Sequence, residues 1–452
     1  MRPSATWPQC VLMFFFLYLP YTYFNHSDGW NQRARFAELH ALVLHRTLAI
    51  DAYQDMTGDK GLLNGHYYSE KAPAITLMAL PAFALTVFVQ ERLGIDPDSE
   101  AGWRMSEWTT TAGSIAIIAA LGGVAFFALL RQRFGQVEAH VATAAVFLGT
   151  LTLPYAASLF AHAGTIGLLA MTFWCVLSGP PRSKARDYLG GICAGLAVAS
   201  EYPAVIPLAC LLVYLTASSV TRSLRLASGM VPGLLLILLK NYAVTGSPVV
   251  LAYGFNPGFA TLTAQNSFGF GLPSLATVKA LLWGEYRGLM FWSPVLLMAV
   301  PGLFVMAQAD TALALTVLAG VALVTLQAAS FSGWFGGNAV SARYLAPAVP
   351  LLGLSAAHGI ARFPRIGTLV TLASVLLMTM VVAVAIDPPQ DVMTPLSDYY
   401  LARLQQDRLA PNLGSLLGLS PAGGLLLLAG ILVILGLLMV RAAIKESSRS
   451  RL

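Results

Sequence analysis

The run TLMALPAFALTVFVQ, residues 76–90, decides the topology of everything after it. It is apolar but short, since a helix needs about 20 apolar residues to cross the hydrocarbon core. If it crosses, every later loop changes side. The basic residues settle the choice, because Lys and Arg accumulate in cytoplasmic loops. They cluster at Arg131/Arg133, Arg182/Lys184/Arg186, Arg222/Arg225, Arg362/Arg365 and Arg441/Lys445/Arg449/Arg451. With 76–90 lying along the membrane surface, these clusters and Arg2 all fall in the cytoplasm. With 76–90 crossing, they disagree. The run is therefore expected to be a surface-lying helix, with both termini cytoplasmic.

Around this pivot the chain is a series of apolar runs. Clear ones lie at 9–24, 109–130, 141–159, 164–180, 289–308, 312–330, 345–360, 366–386 and 422–440. Less distinct ones lie at 188–201, 203–219 and 226–239, the first two forming a hairpin with Glu201-Tyr202-Pro203 at its outer apex. Residues 9–24 have no small-residue cleavage site after them and read as the first span, not a signal peptide. The expected fold is an all-α, polytopic membrane protein of about 12 transmembrane helices with outer-face juxtamembrane helices, one domain over 1–452. Its first outer loop is 25–108; further outer loops are 240–288, 331–344 and 387–421. No soluble domain is expected after the last span, which leaves any acceptor binding to these loops.

Composition agrees. Hydrophobic residues make up 57% of the chain and charged residues 11%, against about 25% charged in soluble domains. The net charge of +6 is spread between apolar runs, without the aromatic and basic interleaving of a nucleic-acid surface. Cys10, Cys175, Cys193 and Cys210 lack metal-ligand spacing, so neither a disulfide nor a metal centre is expected.

Charges are scarce inside the clear spans, and intramembrane charges are what mark ion-coupled transport. Ionisable residues collect instead at the outer ends of the spans, where a lipid with a polar head would meet them. The first outer segment holds Asn25-His26-Ser27-Asp28-Gly29-Trp30, then a helical stretch from Asn31 to about Ile50. Phe36, Leu39, Val43 and Ile50 share one face, with Arg35, Glu38 and His45 elsewhere, the pattern of an amphipathic surface helix. Asp51, Asp55 and Asp59 follow in a polar loop, then Gly65-His66-Tyr67-Tyr68-Ser69-Glu70-Lys71-Ala72-Pro73.

Arg35-Phe36-Ala37-Glu38-Leu39 and Tyr68-Ser69-Glu70-Lys71-Ala72-Pro73, in this order after an N-terminal span, resemble the integral-membrane glycosyltransferases of the GT-C fold. The branch they resemble is that of lipid A aminoarabinose transferase and protein O-mannosyltransferase. The likeness covers the layout of the first 250 or so residues. Two positions depart from it. Gln32 stands where the family has its first catalytic Asp, with Asp28 one turn earlier and Asp59 in an insertion. His162, in Phe160-Ala161-His162, stands where the family has its second outer acid.

The resemblance implies a polyprenyl-phosphate sugar donor, a glycan, lipid or protein acceptor, and a single inverting displacement at the outer face of the cytoplasmic membrane. The leaving lipid phosphate needs cations, because charge develops on its oxygens. Lys71 and Arg35 are the first candidates, then Arg287 and Arg343, each at the outer entrance of a span. Such cations also simply snorkel to headgroups. The acceptor hydroxyl needs a base or an orienting carboxylate; Asp28, Asp59 and His162 are the candidates, with Tyr68, Glu70 and Glu201 in support. The plainer readings are loop acids, a helix cap at Asp28 and a polar cap at His162. No cofactor is called for; a carboxylate could hold a divalent cation on the phosphate, but no spacing demands one. Trp30, Trp283, Trp292 and Trp334 fit an aromatic belt better than sugar-stacking platforms. Gly333–Gly337 permits a tight turn or a close backbone approach. The rival function is a transporter or flippase for a lipid-linked sugar, which would need the phosphate cations but no base.

Overall fold

The computed structural model describes residues 5–26, 29–179, 183–259 and 268–449. Asp28 lies outside them. The chain is 75% helical, with one small sheet among the described residues.

The helices that frame the site come from the first half: α1 (Trp7–Tyr23), α2 (Trp30–His40), α3 (Pro73–Leu93), α4 (Glu100–Gly113), α5 (Ile115–Arg131), α6 (Gln136–Phe147), α7 (Thr152–Ala156), α8 (Ala161–Leu177), α9 (Lys184–Ser200), α10 (Val205–Ser218) and α11 (Val220–Thr245). Strands β1 (Lys60–Leu63) and β2 (His66–Ser69) pair antiparallel between α2 and α3, with Gly61 opposite Tyr68. Asn64 and Gly65 both take positive φ at the tip, as a two-residue hairpin turn requires. The expected polar loop thus contains a hairpin that delivers Asp59 at its start and Glu70-Lys71 at its end.

Among the described residues, seven helices are long and apolar enough to cross a membrane: Pro73–Leu93, Glu100–Arg131, Val220–Thr245, Thr311–Ala329, Arg343–Arg362, Pro364–Val384 and Pro421–Ala442; shorter apolar helices include Ala161–Leu177, Tyr202–Ser218 and Pro294–Ala309. Two expected spans are broken. In 141–159 the helix stops at Phe147 and resumes at Thr152, because Pro154 has no N–H to give the carbonyl of Thr150. In 289–308 it stops at Trp292 and restarts as a 3-10 turn at Pro294, for the same reason.

Length and composition would let α3 cross a membrane, and polar contacts gather near both of its ends. Just beyond its C-terminus, Asp98 accepts a hydrogen bond from the Tyr53 hydroxyl at 2.9 Å and meets His40 Nδ1 at 3.1 Å. Asp59 pairs with Lys71 at the other end of α3. The helix α4 returns antiparallel to α3, through Gln90 Nε2 to the Gly102 carbonyl (2.7 Å) and Thr86 to Thr109 (2.8 Å), so the two form a helical hairpin.

Helices within a bilayer gain little from hydrophobic burial against one another and depend on close packing through small residues. Here α9 and α11 run parallel at near backbone contact. A Cβ on Gly195 would lie 2.3 Å from the Met230 carbonyl oxygen, and one on Gly191 would lie 2.3 Å from that of Leu226. The helix α5 meets α8 in the same way, at Gly122 and Gly167. These crossings bring the start of α8 and the ends of α9 and α11 together at one end of the bundle.

Candidate functional site

The helix α2 is not an amphipathic helix lying in water. Gln32 and Ala34–His40 are all buried, so its polar residues face the protein. Arg35 is 2% exposed and donates from Nη1 to the Ala72 carbonyl at 3.1 Å. Glu38 is 3% exposed and holds Lys240 Nζ at 2.5 Å. Lys240, near the end of α11, also donates to the Lys71 carbonyl at 2.9 Å. The backbone entering α3 is thus clamped by two cations.

Lys71 is the centre of the cluster. Its Nζ lies 2.7 Å from Asp59 and 3.1 Å from Glu70. Asn256 donates to the other Glu70 oxygen at 2.7 Å and to the Gly58 carbonyl at 3.0 Å. Burial disfavours the Lys71 ammonium, but the charges of Asp59 and Glu70 outweigh it and raise its pKa. Burial first, with the Asp59 charge behind it, raises Glu70 above the usual carboxylate value even though Lys71 and Asn256 pull the other way. Two carboxylates on one ammonium cannot both be fully compensated, and Glu70 carries the excess. Burial lowers the Arg35 pKa against the opposing charges of Glu38, Glu201 and Asp59; it remains a cation.

On the other side, α8 and α9 are antiparallel, so His162 at the start of one meets Glu201 at the end of the other. The imidazole Nδ1 meets the Glu201 carboxylate. Its ring packs edge-on against Tyr155 at 4.9 Å. His162 is 4% exposed, and its Nε2 is buried without a hydrogen-bond partner.

Arg343 closes the cluster. Its guanidinium lies 5.6 Å over Phe160 and 5.2 Å over Tyr344, and its Nε has no hydrogen-bond partner. Room for it comes from Gly336, which has φ +76° and whose added Cβ would sit 2.6 Å from that Nε.

Arg287 behaves differently. Its Nε, Nη1 and Nη2 donate to the carbonyls of Phe335 (3.0 Å), Tyr286 (3.1 Å) and Gly337 (3.0 Å), and it is fully buried. It ties the glycine-rich loop in place through three of its five N–H groups. Tyr68 serves as a hairpin residue, bridged to Ala49. Trp292 is fully buried and donates to the Glu285 carbonyl at 2.8 Å, so it is a packing residue.

The structure therefore brings Arg35, Asp59, Glu70, Lys71, His162, Glu201 and Arg343 together, and adds Glu38, Lys240 and Asn256, which were not among the sequence candidates. The one available signal was Lys240 itself, a lone cation ending the apolar run Leu234–Leu239. The cluster is nearly closed: the space among Ser69, Glu70, Lys71, Tyr202, Lys240 and Tyr253 is only about 20 Å³. The larger cavity, about 640 Å³, lies elsewhere, lined by Arg33, Tyr53, Asp98, Trp103, Arg104 and Glu107 among others. Volume and chemistry disagree, and the cluster is where buried, mutually opposed charges converge.

This fold is found among solved structures. Two crystal structures of ArnT from Cupriavidus metallidurans share it, one in the apo state and one bound to undecaprenyl phosphate. Each has a TM-score of 0.51 and covers 83% of this chain, at 17% and 18% identity respectively. The chain spans 62% of the length of those ArnT chains. No protein-family model and no curated protein sequence matches it.

Proposed function

We propose that this protein is a glycosyltransferase that moves one sugar from a polyprenyl-phosphate donor to an acceptor hydroxyl at the outer face of the cytoplasmic membrane. The observation that carries the reading is the buried cluster around Lys71, an ammonium held by two carboxylates on a fold whose ArnT counterpart binds undecaprenyl phosphate. A lipid phosphate entering the cluster takes Lys71 from Asp59 and Glu70, with Arg343 and Arg35 as further donors. Arg suits paired phosphate oxygens and Lys acts as a point charge.

In the transfer step the acceptor oxygen attacks the anomeric carbon. The bond from that carbon to the phosphate oxygen breaks, and its electron pair leaves with the polyprenyl phosphate. The hydroxyl proton passes to His162 Nε2, and the imidazolium so formed is stabilised by Glu201. Asp59, released from Lys71 by the incoming phosphate, orients the acceptor. No cofactor enters this reading. A flippase would need the cations but not a histidine with a carboxylate behind it and a free buried nitrogen in front, and that pair favours the transferase.

The test is donor cleavage in proteoliposomes supplied with labelled polyprenyl-phosphate sugars and envelope acceptors, following release of polyprenyl phosphate. Release is expected from the wild type, with Lys71→Ala and Asp59→Asn each reducing it by about a hundredfold or more. Lipid that crosses the bilayer without cleavage contradicts the reading.

A further inference from the structure

The cavity of about 640 Å³ lies on the opposite face of α2 from the Lys71 cluster. At 100° per residue, Arg35 and Glu38 share one side of the helix, and Arg33 and His40 the other. Its volume falls within the roughly 300–1,000 Å³ of ligand sites.

The walls indicate what it could hold. Asp98, Glu100 and Glu107 outnumber Arg33 and Arg104, and the cations are already matched: Arg104 to Glu100 at 2.6 Å and Arg33 to Glu107 at 4.0 Å. An anionic ligand such as a phosphate would meet excess negative charge. An acyl chain would strip water from several ionised groups, which is costly. A polyhydroxyl ligand suits both kinds of wall, since each hydroxyl can donate to a carboxylate and accept from a guanidinium. The frame is rigid. His40 stacks on Trp103 at 4.0 Å and 6°, and a relay runs from His45 to the Tyr53 hydroxyl (2.9 Å) and on to Asp98 (2.9 Å). Burial lowers the His40 pKa to about 4 despite Asp98, so this stack is neutral at working pH and adds no positive charge.

We propose that this cavity binds a neutral or amino-bearing saccharide unit of the acceptor, remote from the hydroxyl that reacts. The proposal rests on the transferase reading. It adds that the acceptor is a glycan extending past α2, about one helix diameter of 10 Å from the Lys71 cluster.

The experiment uses the full-length protein in detergent on an array of neutral, amino and uronic-acid oligosaccharides, with undecaprenyl phosphate binding measured in parallel. Ala52 lines the cavity from an exposed position, so Ala52→Trp fills the space without disturbing the core. Arg104→Ala, 70% exposed at its side chain, is the second variant. The expected result is binding of neutral or amino oligosaccharides that weakens about tenfold or more in Ala52→Trp and less in Arg104→Ala, with lipid binding unchanged. Absence of binding to every sugar, binding indifferent to Ala52→Trp, or a preference for uronic acids overturns the proposal. If the wild type fails to bind undecaprenyl phosphate, the donor reading fails instead, and the sugar result is read separately.

Discussion

The two faces of α2 present opposite solutions to placing charge near a membrane. Toward Lys71, the charges are buried and nearly without space, and several polar atoms lack partners, among them Glu38 Oε2, Arg35 Nε, His162 Nε2 and Arg343 Nε. Toward Trp103, Arg104 and Glu100 are exposed and the cavity is wide. Buried polar atoms normally find partners. A cluster that leaves so many without them gives up stability for readiness to meet a ligand, whereas an open cavity can leave its groups hydrated. The closed side is therefore read as the reacting side, and the open side as a holding site.

This contrast is broken most directly at His162. His162→Gln is expected to lower the transfer rate by about a hundredfold to ten-thousandfold, the range of general-base removal, while donor-lipid affinity stays unchanged. A variant that loses lipid binding and rate together would make His162 a packing residue, and the two faces would no longer differ in kind.

Arg287 sharpens the comparison from the structural side. Arg287→Met strands three carbonyls and is expected to cost roughly 3 kcal/mol of stability, read as a lower melting temperature in detergent. Undecaprenyl phosphate should still bind the folded fraction with wild-type affinity. Selective loss of affinity would move Arg287 into the phosphate site.

The smallest effect concerns pH. The raised pKa of Glu70 means that its ionisation costs the folded state. Its stabilising contribution is complete below the ordinary carboxylate value and is lost as pH rises through the higher folded value. Glu70→Gln should melt like the wild type at low pH and become progressively more stable than it as pH rises toward neutral. Lys71, also raised, contributes stability below the ordinary lysine value that is lost as pH climbs through its folded one; Glu70→Gln removes one of the two charges that raise it, so the alkaline limb of that variant should shift to lower pH. Parallel melting curves across the acid range would mean that Glu70 is not under strain from its neighbours.

Much of this arrangement was legible in the sequence, because its signals were local. Tyr68-Ser69-Glu70-Lys71-Ala72-Pro73 marked the entry to α3, and the basic clusters favoured a surface-lying helix there, although its 21 residues are long and apolar enough to cross. What could not be read was pairing between distant positions. Glu38 and Lys240 are 202 residues apart, and nothing in either segment's periodicity points to the other. The burial of α2 escaped for the same reason, since a polar face directed at a protein site and one directed at water have the same spacing. Arg287 and Arg343 look alike in sequence, each an arginine beside a tyrosine at the entrance of a span. Only the folded glycine loop separates them, taking up the nitrogens of one and leaving space for the other. The breaks in 141–159 and 289–308 were signalled by Pro154 and Pro294, but a window of apolar residues passes over a single missing N–H.

The central claim is that the closed cluster around Lys71 receives a lipid phosphate. It is tested most directly by the affinity of the purified protein for undecaprenyl phosphate, with Lys71→Ala and Ala52→Trp measured alongside the wild type. The account predicts tight binding by the wild type and by Ala52→Trp, and about a hundredfold weaker binding by Lys71→Ala, roughly 3 kcal/mol. Equal affinity in the wild type and Lys71→Ala, or a loss confined to Ala52→Trp, would contradict it and move the lipid phosphate to the other side of α2.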